Sequence, residues 1–486
     1  MGFVNEFAAW AHTSYTEGLS ASIRSDATWR ALDLLGNSLA AVNSEPARIA
    51  HAVARSWGDG SEATAIGSNV RYPAAAAAFV NGTLGHALDF DDTHLPSIVH
   101  PSASVVPAAL AAAEASGAIG AQALDAMAIG VELAVRLGMA GYDVERNVSV
   151  FFERGYHATS ICGAIGASVA AALLAGLDAD GVASAAGIAS SMGAGILEAN
   201  RTGGTVKRVH CGWAAHVGVS AASLARHGLT GPPTVFEGRF GLVSSHCGDG
   251  MDAGVTVAEL GTRWHSDHIA FKPYPCNVFT HAIIDAAVAL RADGVRAEDI
   301  RAIEVGGAEA ALRTIAHPAE EKARPESGYH AAFSAPYTVA SALIGGEGLG
   351  LSHGDFESGR LAEGLRMDLA AKVSCVVDET CDRLFPAQLP AVVRVTMTDG
   401  RVHEHRVDAS RGSPANPLSE EELLTKFRGN LAFGNREKDT DVITGLVLDL
   451  ASAHGVAGLL AALGGPGDTA GGALEAGGAT GSESRA

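Results

Sequence analysis

Between residues 81 and 104 the chain reads NGTLGHALDFDDTHLPSIVHPSAS, and nine consecutive positions hold five acids or imidazoles: His86, Asp89, Asp91, Asp92 and His94. In a chain otherwise rich in small apolar residues, such a cluster carries a desolvation cost that chemistry would justify. Helix continuing to Asp92 would put Asp89 and Thr93 four apart on one face, with His86 one turn earlier, so that acid, hydroxyl and imidazole share a side. Pro96 and Pro101 then end that helix and leave His94 and His100 on a loop. Acids that merely cap a helix or sit in solvent are the plain alternative, which does not account for the histidines around them.

Further clusters carry reactive side chains. Glu153-Arg154-Gly155-Tyr156-His157 opens a long run of small residues, placing His157 at a helix N-terminus, where the dipole favours the neutral, basic imidazole. Lys207-Arg208-Val209-His210 leads into Gly212-Trp213-Ala214-Ala215, so two cations and a His meet another small-residue helix start. That suits carboxylate binding, although a solvated basic turn would look the same in isolation. Phe271-Lys272-Pro273-Tyr274-Pro275-Cys276-Asn277 lies where the texture of the sequence changes, and ligand clefts favour such junctions. Ala332-Phe333-Ser334-Ala335-Pro336-Tyr337 reads as a structural helix start, with Ser334 as N-cap and Pro336 in the first turn.

The elements that must hold these groups are mostly helical. From residue 20 to about 264, Ala-rich periodic segments (105–115, 121–137, 181–197) alternate with short Gly, Asp or Pro breaks. Between residues 272 and 407, helical runs at 281–290 and 335–343 alternate with strand-like stretches at 300–305, 372–377 and 391–398, and Thr398-Asp399-Gly400 reads as a hairpin turn. Helicity resumes at Ser419, which has capping-box spacing to Glu422, and a closing helix is expected over 441–463. The fold class is therefore mainly α. A smaller α+β domain at 269–407 is inserted in, or appended to, a large all-helical domain at 1–268 and 408–463, and the Gly-rich tail at 464–486 has too little apolar content to order itself.

Composition bounds the function. A chain of 486 residues with a formal charge of -20 and no Lys/Arg-rich stripe is a poor partner for nucleic acid, so an anionic ligand must be held by a few local cations. Six cysteines without a C-x-x-C pair argue against structural zinc and clustered iron-sulfur ligands, and read as reduced cytoplasmic thiols. The first residues, MGFVNEFAAWAH, lack the basic and apolar regions of a signal peptide. The uncharged run at 159–177 consists mainly of Ala, Gly, Ser and Cys, which suits a buried helix in a bundle better than a membrane span.

Taken in order, these segments resemble the MmgE/PrpD family. The likeness rests on NG-x-x-x-H-A-L-D-F-D-D-T with HPS at residues 100–102, GYHAT at 155–159, K-x-x-H-x-G-x-A-A at 207–215, K-x-Y-P-C at 272–276, AFSAPY at 332–337 and P-L-S-x-E-E-L at 417–423. The resemblance implies a helical domain with an α+β lid, a homodimer, and a small carboxylate substrate handled without metal or organic cofactor. It implies Asp89, His100, His157, Lys207 and Lys272 as catalytic residues and Thr93 as an active-site hydroxyl that positions the substrate; Arg208, His210, Tyr156 and Asn277, in or beside the same motifs, are further candidates for substrate contact. The family's reactions are 2-methylcitrate dehydration, cis-aconitate decarboxylation and iminodisuccinate epimerisation. In each, charge builds on a carbon next to a carboxylate, which two lysines would stabilise. A 2-methylcitrate-type or citrate-type hydro-lyase is the first expectation, with His157 or Asp89 as base and His100 as acid; the decarboxylase and epimerase are the alternatives. Asp89-Phe90-Asp91-Asp92 also matches the D-x-D-D motif of protonating terpene cyclases, but those need aromatic walls, and this chain is only 6% aromatic.

Overall fold

A computed structural model describes residues 2–199 and 204–465. The expected tail thus falls almost entirely outside the described residues. Those residues are mainly helical, and none of their helices is long and apolar enough to cross a membrane.

The larger of two main hydrophobic cores is built around the Ala158–Leu174 helix, all seventeen residues of which are buried. Its composition explains its position. Ala, Gly and Ser leave no bulk between backbones, so neighbouring helices approach almost to contact. A Cβ on Gly130 would lie 2.6 Å from the Gly166 carbonyl oxygen, and one on Gly218 would lie 2.5 Å from Cβ of Ala167. At Gly212 a Cβ would strike Thr83 and the Phe79 carbonyl, so this glycine lets the His210–Arg226 helix lie directly on Ala74–His86. The uncharged segment is therefore the centre of a bundle.

The second core lies between a four-stranded sheet and two helices, His281–Ala292 and Ala335–Ile344. Across the sheet the order is Val402–Val407, Ala391–Met397, Ile300–Gly307, Val373–Val377, antiparallel except for the last pair. Ala391–Met397 is buried at all but two positions, as a central strand should be, and Gly400, at φ 91°, makes the hairpin turn. Ser334 caps its helix through the Tyr337 N–H at 3.0 Å.

The chain then returns to the first core. In Glu420–Phe433, capped reciprocally by Ser419 and Glu422, the residues Leu423, Lys426, Phe427, Asn430 and Leu431 are buried along one face. That face packs on Ala21–Ala40, where Gly36 admits the Phe427 ring. Lys426 forms an ion pair with Asp33 at 2.6 Å, and Asn430 donates to Asn37 at 2.8 Å.

Three expectations need correction. The helix carrying the acidic cluster ends at His86, so Asp89 and Thr93 do not share a helical face. Asp89 adopts φ 53°, and Thr93–His94 instead forms a short strand paired with Ile269–Ala270. The segment 181–197 stays helical only to Met192. The closing helix is two helices, Thr440–Leu448 and Ala457–Leu463, because the intervening Ala453 carbonyl accepts the Gly120 N–H at the start of Gly120–Ala140. A distant helix terminus supplies that bond, so local periodicity does not reveal the break.

Breaking a buried ion pair from one side leaves an uncompensated charge and typically costs about 3–5 kcal/mol. Lys426→Met should therefore lower the unfolding temperature markedly, while Lys426→Met with Asp33→Leu should recover most of the loss. Burial already pushes the Asp33 carboxyl above its ordinary value, against the pull of Lys426. Without Lys426 it can escape by taking a proton, so the single variant's deficit should be smaller at pH 5 than at pH 8. An unchanged unfolding temperature would contradict this account.

Candidate active site

Three backbone carbonyls of the loop after His86 are gripped by side chains outside it, two of them from distant parts of the chain. Lys272 donates to the Asp89 carbonyl at 2.7 Å, Lys426 to the Phe90 carbonyl at 2.9 Å, and the ring Nδ1 of His100 to the Asp92 carbonyl at 2.8 Å. Lys272 follows the strand that pairs with Thr93–His94, and Arg30 covers the neighbouring Phe271 ring at 5.4 Å. Lys426 also lies 3.8 Å from the centre of the Phe90 ring.

Asp89 sits between two ammonium groups, Lys272 Nζ at 3.0 Å and Lys207 Nζ at 3.5 Å. Burial opposes the charge on Asp89, but Lys207 and Lys272, helped by His86 and His100, hold its carboxyl well below the usual range. Its side chain remains 26% exposed, so this carboxylate faces a cleft and is not sealed in the core. Lys207 reaches it from the 3₁₀ turn Val206–Val209, just before the His210–Arg226 helix.

Asp91 and Asp92 are bonded by other groups. Asp92 takes the Ser102 N–H at 3.3 Å, accepts the Ser102 hydroxyl at 2.5 Å, and meets Arg30 at 3.3 Å, which anchors the loop to the N-terminus of Ser102–Ser116. Burial lifts its carboxyl to about 6 against the opposing pull of Arg30 and Ser102. Asp91 is bonded through Oδ2 to His86 Nδ1 at 2.8 Å, while its Oδ1 is buried without a protein hydrogen-bond partner.

Four imidazoles gather beside these acids. His100 places Nδ1 against both the Asp92 carbonyl and Thr93 Oγ1, at 2.8 and 2.9 Å, and its backbone N–H is held by Thr159 Oγ1 at 3.1 Å. A carbonyl can only accept, so Nδ1 carries the proton and Nε2 keeps a free lone pair. His157 stands at the N-cap position of Ala158–Leu174 with its side chain turned to another use: its Nδ1 lies 2.9 Å from Nδ1 of His210, so one ring donates and the other accepts. Burial pushes His100 down to about 3; Asp91 pulls the other way, and Lys272 and His86 add to the fall. Burial, then Lys207 and His86, hold His157 well below its ordinary value, and His210 is lowered to about 4. All three are neutral at pH 7. His86 differs: burial works against its charge, yet Asp91 and Cys211 outweigh it and lift the imidazole to about 10.

The structure thus brings together Asp89, Thr93, His100, His157, Lys207, His210 and Lys272. Tyr156 joins His100, His157 and Lys207 along a small cleft, with Phe152 and Leu197 on its walls. Arg208 turns to the Tyr329 ring, 5.8 Å away. Asn277 is used otherwise: its side-chain oxygen accepts the Phe279 N–H at 3.0 Å and caps a short 3₁₀ turn. Sequence reasoning missed Lys426 and Arg30. The available signal for Lys426 was its place on the buried face between Leu423 and Phe427, where a lysine needs a partner.

Two sets of side chains have the spacing of metal ligands, His86 with Asp91 and Cys211, and Asp89 with Asp91 and His100, each within 4.8 Å. In the first set the imidazolium proton already joins His86 to Asp91. In the second, Lys272 and Lys207 supply the positive charge, and the Asp, Lys and His groups suffice to bind an anion. The D-x-D-D acids are paired with Lys, His and Arg, which does not match an aromatic-walled cation site.

Comparison with known proteins adds a second line of argument. The MmgE/PrpD N-terminal domain matches residues 5–252 and the MmgE/PrpD C-terminal domain residues 274–450. The chain belongs to the MmgE/PrpD family. Among its relatives in that family, a cis-aconitate decarboxylase-like protein of Aspergillus oryzae is 30% identical over 421 residues, covering 82% of this chain and 84% of its own. The cis-aconitate decarboxylase of Homo sapiens is 29% identical over 410 residues, covering 82% and 81%. That of Aspergillus terreus is 28% identical over 402 residues, covering 78% and 80%.

The Asp92 carbonyl makes a specific demand on His100. Nitrogen-15 NMR of the imidazoles at pH 7 should show His100 neutral, with Nδ1 protonated and Nε2 bare. The opposite tautomer, or a protonated ring, would contradict the geometry described here.

Proposed function

We propose that this protein is a lyase for a small di- or tricarboxylate, with decarboxylation of a cis-aconitate-type substrate as the first reaction to assign. The observation that carries this reading is the carboxylate of Asp89 held between Lys207 and Lys272 beside neutral His100 and His157. A substrate carboxylate has the charge and shape to take the place of Asp89 against the two ammonium groups. When carbon dioxide leaves, the electron pair it leaves behind spreads into that bound, conjugated carboxylate, and a proton then closes the new C–H bond. Two fixed ammonium groups in a partly desolvated cleft favour the intermediate over the substrate, because the charge given up by the departing group gathers at the carboxylate they hold. The decarboxylase names of the relatives support this order of assignment.

Dehydration of a 2-methylcitrate-type or citrate-type hydroxy acid is the second reading, and one observation favours it. The bare Nε2 of neutral His100, or a neutral His157, suits removal of a proton next to a carboxylate, which dehydration and epimerisation need and decarboxylation does not. In either reaction Thr93, Tyr156 and His210 would orient the substrate. Arg208 would act from the rim, and the capping role of Asn277 argues against substrate contact. The two lysines would supply the charge stabilisation that a metal ion or cofactor provides elsewhere. The sheet-containing unit would act as a lid, since it carries Tyr329 to Arg208, and the working form would be a homodimer.

A substrate panel with and without chelator tests this reading. Purified protein should release carbon dioxide from cis-aconitate, undiminished by chelator, and Lys207→Met and Lys272→Met should each reduce kcat/KM by at least about 100-fold, as loss of a charge-stabilising donor does. Alkene formation from 2-methylcitrate or citrate with no carbon dioxide from cis-aconitate would select the second reading. Inactivity toward all of these and toward iminodisuccinate would refute both.

A further inference from the structure

The roles so far leave two buried groups of the acidic cluster without a purpose, His86 and Asp91. They form one ion pair, and its two ends face different imidazoles. The Asp91 end lies toward His100, with Oδ2 3.8 Å from His100 Nδ1. The His86 ring is 5.9 Å from the His157 ring and 5.2 Å from that of His100. His100 thus has both members of the pair close by, with the negative one nearer. Asp91 makes no such ion pair with His157, whose Nδ1 bonds His210 instead.

We propose that the Asp91–His86 pair is a positioning device that makes the two active-site imidazoles unequal, easing protonation of His100 and opposing it at His157, so that His100, through its bare Nε2, is the ring that takes up a proton. The inference rests on the proposed acid–base reading of the site. It assigns the direction of proton flow, which that reading leaves open.

The surroundings of each ring support the division. His86 is faced by Asp91 on one side and the Cys211 thiol, from the His210–Arg226 helix, on the other. Around His100 stand Asp91 and Asp89, which favour its charge, and Lys272 and His86, which oppose it. Around His157 stand Lys207, His86, His210 and His100, all of which oppose its charge. Both rings are buried, and burial alone would hold both neutral, so the pair supplies a difference between them. Groups with environments that push their proton affinities apart are the natural acid and base of a site. A unit charge about 6 Å away at an effective dielectric near 20 moves an imidazole by on the order of two pH units, enough to assign roles.

The pair makes two predictions that separate it from a packing role. In His86→Gln the imidazolium is lost and Asp91 remains, so both His100 and His157 should become easier to protonate, by on the order of one to two pH units. In Asp91→Asn the counter-charge is lost and burial should neutralise His86. His157 should then become easier to protonate while His100 becomes harder.

Imidazole NMR titration of the full chain and of both variants, with rings assigned by single His→Gln substitutions, reads this without a substrate. In the parent protein His86 should remain doubly protonated from pH 6 to pH 9. A neutral His86 at pH 7 would overturn the proposal even if neither variant folds, and so would variants that move His100 in the same direction. Once a substrate is known, the limb of the kcat/KM pH profile set by the base should move upward in His86→Gln. Failure of every substrate would count against the proposed reaction and leave the titration result standing. A normal reaction with a neutral His86 would do the reverse.

Discussion

The site depends on one constraint: the loop from Asp89 to Asp92 has no regular structure of its own and is held by side chains outside it, three of them far away in sequence. Lys272, Lys426 and His100 each grip a carbonyl of this loop, and Arg30 and Ser102 fix the carboxylate of Asp92. A buried carbonyl must find a donor, and a buried ammonium must find acceptors. Each therefore satisfies a need of the other. The positive φ of Asp89 is tolerated because these contacts over-determine it, and the result is a carboxylate turned toward Lys207 and Lys272.

From this constraint the division of the fold becomes intelligible. Small residues let the Ala74–His86, Ala158–Leu174 and His210–Arg226 helices meet closely enough for His86, His157 and His210 to gather at their ends. The returning Glu420–Phe433 helix brings Lys426 under the loop, and the sheet-containing unit adds His353, whose ring meets Phe90 edge-on at 5.1 Å and bonds Asn430 at 3.1 Å. Charge is arranged as carefully as shape. Of four clustered imidazoles, the one bonded to a carboxylate is charged and the three others are neutral, and neutrality is what proton transfer requires of a base.

Much of this was legible in the sequence, for identifiable reasons. The segments 100–102, 155–159, 207–215 and 272–276 place unusual side chains next to small residues, and those side chains converge. The change from helical periodicity to alternating strands near residue 272 reflects the second core. What the sequence hid is non-local. Nothing around Asp89 shows that the helix stops at His86, because the alternative geometry is supplied by Lys272 and Lys426, hundreds of residues downstream. The break before Ala457 depends in the same way on Gly120. Asn277, in a reactive-looking segment, serves its own turn, which a local Asx pattern could have revealed.

The central claim is that Lys207 and Lys272 form a carboxylate seat now held by Asp89, with His100 and His157 facing the carbon beside it. A crystal structure of the protein with tricarballylate, an unreactive tricarboxylate, tests this most directly. One ligand carboxylate should lie between the two Nζ atoms, with Asp89 displaced and both imidazoles beside the adjacent carbon. A ligand bound elsewhere, or in this cleft with either lysine turned away, would contradict the account.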